Sequence, residues 1–246
     1  MLNNHTQEIL NKIELIDNLS YEELNMELSK GIDLSKKLGS NGWTVNDDKT
    51  PNRIQEWLYK IESQGESSIA EEYTDSEIEN ILERVKIIYS NQPEKNYLNR
   101  AIDNYYIGRY TESAMFFLAV LDYRLSMITP KKFRRKTKQC DEGINQAGKD
   151  NLFKYKGLPV TKSFLIGYYV PSFTAFAKRL FDDGEYKFEK GIEPPYLNRN
   201  WLMHGRMKRT VKKYECIQII HAFSTLEIIE EMVAEENNGQ VKDENE

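Results

Sequence analysis

Histidine is scarce in this chain, which carries only His5, His204 and His221. One of the three stands in a segment equipped for proton chemistry: His204 closes the run Pro194-Pro195-Tyr196-Leu197-Asn198-Arg199-Asn200-Trp201-Leu202-Met203-His204-Gly205-Arg206. Histidine titrates near neutrality and passes a proton either way, while arginine keeps its charge and offers a planar fork of donors for phosphate oxygens. Together they suit phosphodiester cleavage without a metal. An imidazole removes the ribose 2′-OH proton or protonates the leaving 5′-oxygen, and a guanidinium stabilises the charged pentacoordinate phosphorus. Such a reaction needs RNA, because DNA has no 2′-OH. Residue types alone favour a structural histidine and a surface arginine, so the elements that position them must decide.

The two prolines are expected to fix the start of a short helix, and Gly205 is suited to end it. One stiff segment then carries Arg199, Asn200 and His204. Asn200 and His204 are four apart and share a face, whereas Arg199 and His204 are separated by about 140° around the helix and roughly 7.5 Å along it. One helix does not converge the pair. A site built from them makes most sense if a second copy, related by a two-fold axis, completes it. His5 lies in a terminal stretch, and His221 falls among Ile219, Ile220 and Phe223, where a satisfied core histidine is expected.

Around this segment the apolar residues recur at helical spacing, which predicts an all-α helical bundle. Ser20 with Glu23, and Thr74 with Glu77, fit the capping box. After Thr74, the residues Ile78, Ile81, Leu82, Val85, Ile88 and Tyr89 form one stripe that Pro93 follows. Thr50-Pro51 opens a helix with Ile54, Trp57, Leu58 and Ile61 inward. Two helices are expected over 97–128, divided near Gly108. The second, from Tyr110 to Ile128, is the most apolar and is read as the centre of the core, with Asp122 and Arg124 as paired polar groups at its edge. Residues 130–157 read as a long connection or a short irregular helix. Another helix is expected after Pro171-Ser172, and a last one from about Val211 to Val233. Loss of regularity over 64–72 suggests a boundary near residue 70. That gives an acidic helical region (1–70), a bundle (71–233) and an acidic disordered tail (234–246).

The net charge of −5 conceals this division. Residues 1–100 hold 19 acidic and 11 basic residues (−8), residues 101–233 hold 15 and 22 (+7), and residues 234–246 hold 5 and 1 (−4). Lys131-Lys132-Phe133-Arg134-Arg135-Lys136-Thr137-Lys138 places six basic residues in eight, and Arg206, Lys208, Arg209, Lys212 and Lys213 follow His204 directly. Each cluster alone is equally a solvated charge run. Beside a phosphodiester site, Lys131, Lys132, Arg134, Arg135 and the five cations after His204 would grip an RNA backbone with little base preference. Phe133, Tyr155 or Trp201 would serve for base stacking, with Trp201 the better core residue.

Other chemistries find no motif. A phosphate loop ending in Lys-Ser/Thr, GxGxxG, His-Glu-x-x-His and Gly-x-Ser-x-Gly are all missing, which argues against nucleotide hydrolysis and zinc hydrolysis. Two cysteines, Cys140 and Cys216, are too few for a disulfide framework or a cysteine metal site. No cofactor or metal is expected. The chain lacks a secretory pattern at Met1-Leu2-Asn3-Asn4-His5 and any run long enough to span a bilayer, so a soluble cytoplasmic protein without membrane partners is expected.

Arg199-Asn200-x-x-x-His204 resembles the Arg-polar-x-x-x-His motif of the HEPN superfamily, the higher eukaryotes and prokaryotes nucleotide-binding domains. The context is similar too. A very apolar helix upstream ends in Leu121-Asp122-Tyr123, Asn198 precedes the arginine, Gly205 follows the histidine, and a basic stretch leads to a last amphipathic helix. Bacterial abortive-infection HEPN proteins carry a comparable segment, though here four residues rather than five separate Arg and His. The resemblance covers about residues 95–233. It implies an α-helical bundle whose homodimer lines one cleft with two motifs, and a metal-independent endoribonuclease acting in phage defence or as a toxin, with an antitoxin or defence-system partner. By that resemblance Arg199 and His204 are catalytic and Asn200 orients them, while Asp122 supports the site from a neighbouring helix. Arg206 stands where one group of HEPN toxins has the tyrosine that an antitoxin adenylylates, so that control is not expected. A non-catalytic HEPN module, serving as a dimeric binding or sensing subunit, is the alternative.

Overall fold

Caps and apolar spacing together dictate helices along this chain. The computed structural model describes the backbone of residues 21–46, 51–128, 160–181 and 191–243, with side chains over 29–46, 53–128, 168–181 and 191–230. Within them every regular element is a helix, giving the all-α architecture expected: α1 (Tyr21–Ser40), α2 (Pro51–Gln64), α3 (Ser67–Ala70), α4 (Asp75–Ile88), α5 (Lys95–Tyr106), α6 (Tyr110–Ile128), α7 (Val160–Phe181), α8 (Arg199–Met203) and α9 (Lys213–Asp243). None is long and apolar enough to cross a membrane.

The start of α4 shows local chemistry setting a boundary. The Glu77 N–H donates to Thr74 Oγ1 (3.2 Å) and the Thr74 N–H to Glu77 Oε2 (2.7 Å), so two orphan donors are satisfied reciprocally. Ile78, Ile81, Leu82, Val85 and Tyr89 then face inward, whereas Ile88, expected in the same stripe, is exposed. The pair α5 and α6 lies on either side of Gly108, and α6 has the bounds its sequence predicts.

The centre of the core is α9 rather than α6. Residues 215–226 are all buried, and α9 packs against α3, α4, α6 and α7. Its buried Gln218, His221, Ser224 and Thr225 lower its apparent hydrophobicity. Each is engaged. His221 Nδ1 lies 3.0 Å from Thr44 Oγ1, Thr225 donates to the Val45 carbonyl (2.8 Å), Gln218 donates to the Asn41 carbonyl (3.4 Å) and Ser224 is bonded to Arg84. Buried polar groups of this kind are tolerated only when paired. Thus His221 is a core histidine, bonded through Nδ1 while its buried Nε2 makes no hydrogen bond among the described residues, and ringed by Trp43, Trp57 and Tyr73 at centroid distances of 5.8, 5.9 and 5.6 Å.

Those contacts also revise the boundary near residue 70. Trp43, Val45, Ile54, Trp57 and Ile69 belong to the same apolar cluster as Leu118, Phe173 and Phe223, continuous from Leu38 to Ile229. The irregular stretch after Gln64 is a connection, but it carries α3 with Ile69 fully buried, and so does not divide two cores.

Two helix ends differ from expectation. Pro171 lies inside α7, which begins at Val160 instead of after the proline. Burial against α1 on both sides of the proline, with Tyr168 and Phe173 inward, overrides the missing N–H. The last helix starts at Lys213 and continues to Asp243, so the acidic residues after Val233 lie largely on helical backbone.

The broadest helix contact joins α1 to α7. It depends on small residues. A Cβ on Gly39 would stand 2.0 Å from the Ser172 carbonyl oxygen, and one on Gly31 would stand 2.1 Å from the Tyr168 hydroxyl.

Candidate active site

The short helix α8 is built by its caps. Asn198, in an extended conformation (φ −130°, ψ 126°), accepts the Trp201 N–H on its side chain at 3.2 Å. Asn198, rather than the two prolines, therefore sets the start. At the other end Gly205 adopts φ 65°, its N–H donates to the Leu202 carbonyl (3.0 Å), and the Arg206 N–H reaches back to the Trp201 carbonyl (2.9 Å). This is the Schellman closure, which needs a residue free to take positive φ. Trp201 and Leu202 are buried and fasten the helix against α6 and α7. Trp201 is thus a core residue. Arg199 and Asn200 are left half-buried, and His204, at the C-cap, is exposed.

Asn200 anchors one end of a polar chain. Its side-chain amide donates to the Phe181 carbonyl at the end of α7 (2.8 Å), and its Oδ1 accepts from Arg199 Nη1 (3.3 Å). The other arm of the guanidinium, Nη2, donates to Asp122 Oδ2 on α6 at 2.9 Å. The structure therefore brings Arg199, Asn200 and Asp122 together and fixes the guanidinium between two helices. His204 lies at the opposite end of α8, with its backbone N–H on the Asn200 carbonyl (3.2 Å). Arg124 does not join this group. It pairs with Glu230 (2.8 and 2.6 Å) and Glu94 (3.4 Å) over the Tyr89 ring, the paired arrangement expected of it. Burial opposes its charge, but the Glu230 carboxylate more than offsets this and holds its pKa above the usual value.

The five cations after His204 divide into two sets. Arg209 forms a bidentate pair with the fully buried Glu215 (2.8 and 2.6 Å), which raises its pKa against the opposing effect of burial. Its guanidinium is committed to holding the start of α9. Lys213 pairs with Asp75 at 3.0 Å, both exposed enough for a phosphate to compete. Arg206, Lys208 and Lys212 are exposed. Lys131, Lys132, Arg134 and Arg135, together with Phe133 and Tyr155, lie outside the described residues.

Sequence reasoning missed Glu193, whose carboxylate accepts the Lys208 and Arg209 N–H groups (3.0 and 3.4 Å) and braces the loop after His204. A lone acid sixteen residues from its partner gives no periodic signal. Cys216 is buried, its Sγ set 3.3 Å from the Tyr110 carbonyl, and burial pushes the thiol up to about 12. Among the described residues no three His, Cys, Asp or Glu side chains converge as metal ligands would. No family model matches the chain, and neither the curated proteins nor the solved structures provide a relative.

Proposed function

We propose that this chain is a metal-independent endoribonuclease of HEPN type, acting as a cytoplasmic homodimer in phage defence or as a toxin. The observation that carries the reading is the tether of Arg199. The guanidinium is held by Asn200 and Asp122 at the surface, on a five-residue helix that ends in the exposed His204.

In this reading the His204 imidazole takes the 2′-OH proton or returns one to the leaving 5′-oxygen, and Arg199 stabilises the charged phosphorus. Asn200 orients the guanidinium through its bond to the Phe181 carbonyl. The Asp122 pair does not block this. With side chains 30% and 48% exposed, it contributes about 0 to 1 kcal/mol, and a phosphate presenting two oxygens can displace it. A second subunit supplies the complementary Arg or His, because the two residues occupy opposite ends of α8. Met115, Tyr123 and Met127, exposed on the helix that carries Asp122, offer apolar surface for that subunit. Arg206, Lys208 and Lys212 form the backbone-binding rim.

The test is growth and product chemistry. Expression of the chain should slow bacterial growth and leave RNA fragments ending in 2′,3′-cyclic phosphate, and Arg199→Ala or His204→Ala should abolish both. Equal toxicity or equal inertness of all three refutes the assignment. The Asp122 pair favours one alternative, a non-catalytic dimeric binding or sensing module in which the arginine is used for structure. Such a module would bind RNA or a defence partner without cleavage.

A further inference from the structure

The carbonyls of the last turn of a helix have no intrahelical partner and must find one elsewhere. At the end of α7 two of them are taken by the segment that starts α8. The Arg179 carbonyl accepts from Asn198 Nδ2 (3.4 Å) and the Phe181 carbonyl from Asn200 Nδ2 (2.8 Å). Both asparagines flanking Arg199 are thus spent on docking α8 to the terminus of α7, which makes the aim of Arg199 depend on where that terminus sits.

The terminus is itself held by the N-terminal part of the chain. The Arg179 side chain is only 10% exposed, donating from Nη1 to the Ser40 carbonyl (2.8 Å) and from Nη2 to Glu66 Oε2 (2.8 Å), over the Tyr196 ring at 4.2 Å. A guanidinium suits this place, since its fixed fork reaches two acceptors at once while its plane covers an aromatic face. Tyr196 lies two residues before Asn198, so one side chain clamps α1, the α2–α3 connection, the end of α7 and the approach to α8.

We propose that Arg179 is a positioning residue for Arg199, and that residues 40–66 act through it to control the site. The catalytic consequence rests on the ribonuclease reading; the mechanical one does not. Anything that draws Glu66 away from Arg179 loosens the cap of α8 and lets the Arg199 guanidinium wander. This gives the acidic N-terminal region a task at the site, although the side-chain partners of Arg199 are Asn200 and Asp122.

The experiment compares full-length wild type with Arg179→Met and Glu66→Ala by amide hydrogen exchange and by RNA cleavage. Glu66 is partly exposed, so its variant remains a usable test if Arg179→Met does not fold. Exchange of the amides of Trp201 to Met207 should rise about tenfold or more in the folded variants, with those of Ile217 to Leu226 in α9 unchanged. Cleavage should show kcat lowered about 10- to 100-fold with KM within about twofold, as for a misaimed rather than absent catalytic group. Arg179→Lys, which still reaches Glu66 but lacks the fork, should recover part of both. Unchanged exchange over 201–207 in Glu66→Ala overturns the proposal. A wild type that cleaves no RNA, combined with raised exchange in the variant, leaves the clamp standing and removes the ribonuclease reading alone.

Discussion

Replacing Gly39 by alanine sets two effects of opposite sign against each other. Gly39 lies in the last turn of α1, where the change gains only part of the about 1 kcal/mol of helix propensity that an interior position would give. The new Cβ, however, falls 2.0 Å from the Ser172 carbonyl oxygen, 2.8 Å from the Ala175 Cβ and 2.9 Å from the Ser172 carbonyl carbon. Two of these three atoms are backbone and cannot swing aside, so α1 itself must retreat from α7 by more than an ångström. Overpacking of this kind costs about 1 to 3 kcal/mol, and more where it opens a large interface. The clash should therefore win, with a net loss of about 1 to 2 kcal/mol and a melting temperature lower by about 2 to 8 °C. Urea denaturation followed by circular dichroism should show a lower midpoint at unchanged slope. Gly31→Ala is the control. Its Cβ meets the end of the Tyr168 ring, which can rotate, so its cost should be smaller. A Gly39→Ala protein as stable as the parent would refute the close packing of α1 on α7, and with it the route by which residues 40–66 reach the site.

Other perturbations isolate single contacts. Arg124→Met strips the counter-ion from Glu230 and from the 5%-exposed Glu94, and should cost about 3 to 5 kcal/mol in chemical denaturation. Glu72 is partly desolvated, but hydrogen bonds from Lys60 and Trp57, with the charges of Lys60 and Arg53, hold its pKa below the ordinary carboxylate value. A depressed pKa stabilises the fold above the unfolded value and is lost as pH falls through the folded one. Hence Glu72→Gln should lower the melting temperature at pH 7, with the gap closing below about pH 4. In a Cys140→Ser background the Cys216 thiol, pushed up to about 12 by burial, should resist alkylation at pH 8 until the chain unfolds.

Local signals in the sequence found most of the helices. The Thr74–Glu77 box, Pro51 at a helix start and the Tyr110–Ile128 run each declare themselves within a few residues, because capping and amphipathic spacing are local physics. What was hidden depends on partners far along the chain. Pro171 reads as a helix start until α1 is seen to bury both sides of it. The core role of α9 is masked by His221 and Thr225, whose partners Thr44 and Val45 are more than 170 residues away. At the site, the Arg199–Asn200–His204 spacing was legible, and so was an acid on a neighbouring helix. The commitment of Arg209 to Glu215 was not, since a basic run looks the same whether its charges are free or paired.

Mixing subunits tests the composite site most directly. Arg199→Ala and His204→Ala homodimers should each be folded and inactive on RNA. If Arg199 of one subunit works with His204 of the other, random exchange makes about half the dimers mixed, each with one intact pair of two, and restores about a quarter of wild-type cleavage. A mixture confirmed to contain the mixed dimer, yet as inert as its parents, would contradict the account.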